Sequence, residues 1–134
     1  MAGRSLYAAI LQNPDQKTYD LTLYAAVTDD ERIQGFRGVS QLLPQHGMVF
    51  KWSLPLKPTM EMGGMLFALD MLFLDKAGKV IDMVQGLQPG LDDTYQPRWP
   101  AMFVVELNHG QIQQLNIQLG SIVILPRNLH EGRG

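Results

Sequence analysis

A chain of 134 residues with 46% hydrophobic side chains is long enough for one domain that buries its own core without metals or disulfides. Its formal charge of −2 gives no general attraction for nucleic acid or an anionic membrane. The lack of cysteine excludes disulfides, thiolate metal sites and thiol nucleophiles. The expectation is a single domain over residues 1–134 with no cofactor, no nucleic-acid partner and no membrane partner.

Residues 4–12 read as a first strand, ended by the turn signal Asn13-Pro14-Asp15. Residues 19–27 alternate apolar and polar side chains, the period of a strand with one buried face. Thr28-Asp29-Asp30-Glu31 forms a capping box, with acidic residues suited to the positive end of the helix dipole. The helix it starts should reach about Phe36, turn Ile33 and Phe36 inward, and close at Gly38. A strand over residues 47–52 follows, and Pro55 and Pro58 argue against regular central pairing beyond it.

Residues 66–74 form an apolar run interrupted only by Asp70, which suits a strand covered on both faces. Asp75-Lys76-Ala77-Gly78 reads as a tight hairpin, so residues 79–85 should return antiparallel. The stretch 86–100, with three prolines, reads as a long loop. Residues 101–107 alternate again, with Ala101, Phe103, Val105 and Leu107 on one face. Asn108 should cap a short helix that Asn116 ends in the left-handed conformation. Residues 121–125 give a last strand, and residues 127–134 a polar tail. The elements so read are mostly strands with two short helices, a mainly β (α+β) fold class.

The order Thr28-Asp29-Asp30-Glu31-Arg32 with Gly35 and Gly38, Gly47-Met48-Val49-Phe50, Leu69-Asp70-Met71-Leu72-Phe73-Leu74-Asp75 with Gly78, and Val104-Val105-Glu106-Leu107 with Gly110 and Gly120 resembles the domain of unknown function 192 family over about residues 20–125. The resemblance implies a compact, mostly antiparallel, β-barrel-like domain with two short helices and supplies no accepted catalytic residues. Members typically carry Trp-Met-Lys-Asn-Thr before the central strand; here Glu61-Met62-Gly63-Gly64-Met65 keeps only the methionine. Many also carry an export signal, which this sequence does not show, so the expected location is cytoplasmic or particle-associated.

Three constellations could carry chemistry. Asp70 and Glu106 interrupt apolar strands, and if they faced each other they could work as a hydrolase pair, although structural hydrogen bonding is the commoner use of such carboxylates. Met60, Met62 and Met65 could converge three thioethers on Cu(I), against the ordinary use of methionine as a core filler. Tyr95, Arg98 and Trp99, stiffened by Pro97 and Pro100, could form a contact surface or fold back over the sheet. Arg4, Arg127 and Arg133 could serve as contact arms. Ser5, Ser40, Ser53 and Ser121 and the three histidines show no triad logic. The reading is a non-enzymatic binding or assembly protein, partnered by protein or by itself in a homo-oligomer or a larger particle such as a virion. A hydrolase and a Cu(I)-binding protein are the alternatives.

Overall fold

The computed structural model describes residues 4–130. The described residues form β1 (Leu6–Gln12), β2 (Thr18–Ala26), α1 (Asp29–Gln34), β3 (His46–Leu56), β4 (Met60–Met62), β5 (Leu69–Leu74), β6 (Val80–Leu87), β7 (Gly90–Tyr95), β8 (Ala101–Asn108), α2 (Gln111–Gln114), β9 (Ile122–Ile124) and α3 (Arg127–His130). Seven strands make one sheet in the order β6-β5-β8-β3-β2-β1-β9, while β4 and β7 form a second, small sheet. The β2–β3 contact is parallel and the other pairings are antiparallel. The large sheet curls into a half-barrel whose two edges meet at one corner, where Lys79 bridges Ile122 and the Val123 amide donates to the Gly78 carbonyl at 2.8 Å.

The sheet is covered on both faces, as the unbroken burial of β5 requires. One core gathers Leu11, Leu21, Leu23, Val49, Phe103 and Leu107 with Ile112 from α2 and Leu129 from α3. The other gathers Met48, Phe50, Met71, Phe73 and Val104 under Phe36, Met62 and Met65. Since successive strand residues point to opposite faces, this alternation decides which side each carboxylate serves.

The capping box forms as expected: the Glu31 amide donates to Thr28 Oγ1 at 3.1 Å, and Glu31 Oε1 accepts from the Thr28 and Val27 amides. Those amides, the Val27 amide foremost, hold the Glu31 carboxyl below its ordinary range. The β5–β6 hairpin also forms, with Asp75 Oδ1 accepting from the Ala77 and Lys79 amides and Gly78 at φ 85°.

Several local expectations are corrected. Helix α1 closes at Gly35 rather than Gly38, because Gly35 already leaves the helical region at φ 48°. Ile33 is then turned outward at 68% exposure, while Phe36, beyond the helix, is fully buried. Strand β3 runs through Pro55 to Leu56, but its pairing with β8 shifts register between Lys51 and Leu56, consistent with proline's missing donor. The 86–100 stretch is not a plain loop, since it contains the end of β6 and all of β7. Ala101 packs with the second core rather than with Phe103, Val105 and Leu107. Gly110, not Asn108, is the N-cap of α2. Asn116 does take the left-handed conformation, at φ 53°. The tail contributes a third helix, α3, anchored by buried Leu129. Among the described residues no helix is long and apolar enough to cross a membrane.

Candidate functional site

Glu106 lies on β8 opposite Met48 of β3 and Met71 of β5, which puts its side chain on the face of the second core. Asp70 pairs across with Leu107 and therefore points to the first core. The structure thus does not bring Asp70 and Glu106 together as a facing acid pair; adjacent register positions alternate in side and separate them by the thickness of the sheet.

Asp70 is fully engaged. Its Oδ1 accepts from the Gly86 amide and bonds His109 Nδ1, both at 2.9 Å, and its Oδ2 accepts from the Gly110 and Ile112 amides, both at 3.0 Å. It supplies from a neighbouring strand the capping acceptor that α2 lacks on its own N-cap residue. His109, half exposed, is oriented by this bond.

Glu106 is the opposite case. It is 1% exposed, its Oε1 has no hydrogen-bond partner, and it lines a pocket of about 540 Å³. Burial pushes its carboxyl from 4.5 up to about 8, against the opposing charge of Arg37. The pocket is walled by Phe50, Trp52 and Leu56 of β3, Met60 and Glu61 of β4, Met65, and residues in and after α1. Its volume falls in the range of small-molecule sites, and apolar walls around a few polar groups are their usual makeup.

Two arginines on this wall differ. Arg32 is held on every side: it donates to the Val27 and Lys51 carbonyls at 2.6 and 2.7 Å, pairs with Asp29 at 2.6 Å, and lies 5.7 Å from the centre of the Trp52 ring. Trp52 lines the pocket and stacks on Phe50. Arg37 donates to the Ile33 carbonyl, and among the described residues it has no carboxylate within ion-pair distance. Its aliphatic stem lies over Gly64, where an added Cβ would come 3.1 Å from Arg37 Cγ, and Gly64 itself is at φ 77°.

The structure puts Met60, Met62 and Met65 in one core cluster, but only Met60 and Met65 line the pocket, while Met62 is completely buried. Tyr95 and Arg98 converge on Asp82 of β6. The Tyr95 hydroxyl donates to Asp82 Oδ2 at 2.9 Å, the Arg98 amide donates to the same oxygen at 3.0 Å, and Arg98 Nη2 reaches Oδ1 at 3.3 Å. Burial works to raise the Asp82 carboxyl, but these bonds outweigh it and hold the group below its ordinary range. Burial and the Asp82 bond push the Tyr95 hydroxyl up. Tyr95 and Arg98 therefore fasten the β7–β8 connection to β6, although the Arg98 side chain, like Trp99, remains largely exposed. Arg4 is tied by its bonds to the Ala25 and Glu31 carbonyls, and Arg133 lies outside the described residues.

Sequence reasoning missed Arg32, Arg37 and Asp82. For Asp82 the signal was present, since it shares the buried parity of Val80 in β6. The arginines gave none, because their convergence with β3 and β4 is tertiary.

Solved structures share this fold, two of them over most of the chain. A Sinorhizobium meliloti protein, provisionally described as a transcription regulator, superposes with a TM-score of 0.90 at 27% identity, covering 93% of this chain and 97% of its own. A Novosphingobium aromaticivorans protein of unknown function gives a TM-score of 0.86 at 21% identity, covering 92% and 87%. No curated protein is significantly similar to the chain. The profile of the DUF192 family, described as an uncharacterized ACR, matches residues 10–125, and the chain belongs to that family.

Proposed function

We propose that the chain is a non-catalytic binding module and that its site is the pocket headed by Glu106. One observation carries this reading: a carboxyl group at 1% exposure is left with an unpartnered oxygen in the wall of a ligand-sized pocket. Buried polar groups are nearly always satisfied, and an unsatisfied one costs about 1–3 kcal/mol. A group kept at that cost beside an open cavity suits a partner that comes from outside. The hydrolase alternative is weakened by Asp70, whose oxygens are committed to α2, Gly86 and His109 on the other face.

A small-fragment screen followed through the methionine methyl resonances tests the reading. Saturable shifts at Met60 and Met65 are expected, and a screen that moves neither would overturn it. The assembly reading, with a protein partner or a second copy, draws on exposed Leu54, Leu91 and Trp99. Native mass spectrometry with and without Cu(I) addresses it and the thioether site together. A defined oligomer supports assembly, and a copper adduct lost on changing Met60, Met62 and Met65 to leucine supports the metal site. The regulatory role provisionally ascribed to the Sinorhizobium protein suggests a similar use here, which a binding module could serve by sensing a small molecule. A cytoplasmic location agrees with that use.

A further inference from the structure

The pocket's polar groups also indicate the class of its ligand, an inference that rests on the binding reading above. Arg37 and Glu106 both line the cavity, and the guanidinium charge acts on the carboxyl, yet they are not joined as an ion pair. Arg37 spends its donation on the Ile33 carbonyl and has several of its five N–H groups to spare. The remaining charged groups on the wall are accounted for: Asp29 and Arg32 pair with each other, and Glu61 is exposed. Apart from exposed Glu61, the wall is therefore left with one positive charge with spare donors, Arg37, and one buried carboxyl group with an open oxygen, Glu106.

We propose that the pocket takes a small organic carboxylate with an apolar body, its carboxylate held between the Arg37 guanidinium and the Glu106 carboxyl group. The guanidinium supplies charge and a planar pair of donors. Glu106 supplies an O–H donor, because burial keeps it protonated up to about pH 8. The apolar body meets Phe50, Leu56, Met60 and Met65. A cationic ligand would meet the charge of Arg37, and a neutral amide would leave that charge without an anion.

Titration calorimetry of the full chain with benzoate, benzamide and benzylamine, backed by the Met60 and Met65 methyl shifts, tests the class. Benzoate should bind at least about tenfold tighter than either isostere, and its affinity should fall about tenfold or more between about pH 6.5 and about pH 9.5 as Glu106 ionises. Arg37→Gln should lose that preference, with Arg37→Lys restoring part of it. Glu106→Gln keeps a donor at every pH, so it should bind benzoate with a flat pH profile. Equal binding of the three probes, or the same pH fall in Glu106→Gln, would overturn the carboxylate assignment while leaving pocket binding in place. Failure of all three probes and of the broader fragment screen would overturn the underlying reading itself.

Discussion

Replacing Glu106 by glutamine should make the domain more stable, by an amount that grows with pH. The folded protein holds this carboxyl neutral up to about pH 8, whereas in the unfolded chain it ionises near its ordinary 4.5. Between those values the unfolded state gives up its proton and the folded state does not, so the wild type loses stability as pH rises from about 4.5 to 8 and is flat with respect to this group above that. At about 1.4 kcal/mol per pH unit, the interval sets a ceiling on the order of 5 kcal/mol. Glutamine has nearly the same shape and does not titrate. Any constant loss from its amide shifts the variant's curve without changing its slope. Urea unfolding at about pH 5, 6.5 and 8 should show the gap between variant and wild type widening by several kcal/mol, equivalent to roughly 10 °C in Tm at this size. Parallel curves would refute the reasoning, because they would mean that Glu106 ionises in the folded protein at its ordinary pH.

Asp70→Ala strips acceptors from three backbone amides and a histidine, so it should cost about 4 kcal/mol or more, read as a lower urea midpoint. Asp70→Asn keeps one of the two acceptor oxygens and the side-chain shape, so it should cost less than Asp70→Ala. Gly47→Ala would drive a Cβ into the Glu106 backbone carbonyl across the β3–β8 pairing, and a loss of at least about 3 kcal/mol is expected in the same assay. Asp82 is held below its ordinary range, so its stabilisation is present above the unfolded value of 3.8 and lost as pH falls through the folded value. Acid unfolding of Asp82→Asn should therefore show a shallower decline at low pH than the wild type. Arg32→Ala removes two carbonyl bonds and the charge facing Trp52; a red-shifted tryptophan emission and a loss of about 2 kcal/mol are expected.

What the sequence made legible was whatever is encoded locally. The alternation of β2, the Thr28–Glu31 capping box and the Asp75–Gly78 hairpin depend on residues a few positions apart, and they appear as expected. Strand β7 was illegible because Leu91, Asp92, Asp93 and Thr94 carry no buried face of their own; pairing with β4 makes them a strand. Helix α3 hangs on the single anchor Leu129, too little to give a period. In the candidate site, Glu106 was visible as a carboxylate inside an apolar strand, and the same signal at Asp70 had the opposite meaning. A lone acid in a strand tells that it is buried but not whether the amides of a distant helix will reach it.

The departure from the family pattern and the chemistry of the pocket are linked by one contact. Where members typically have Lys-Asn-Thr, this chain has Gly63-Gly64-Met65, and the stem of Arg37 lies across Gly64. A side chain there would start 3.1 Å from Arg37 Cγ and would have to share the left-handed backbone at φ 77°. The glycine thus leaves Arg37 a seat from which its charge reaches Glu106, and Met65 brings an apolar side chain to the wall in the third position of the replaced cluster. Loss of a polar cluster would by itself suggest a site that had decayed. In this chain the place of that cluster is taken instead by a glycine that seats a cation near an unpartnered carboxyl, the arrangement on which the proposed carboxylate site rests.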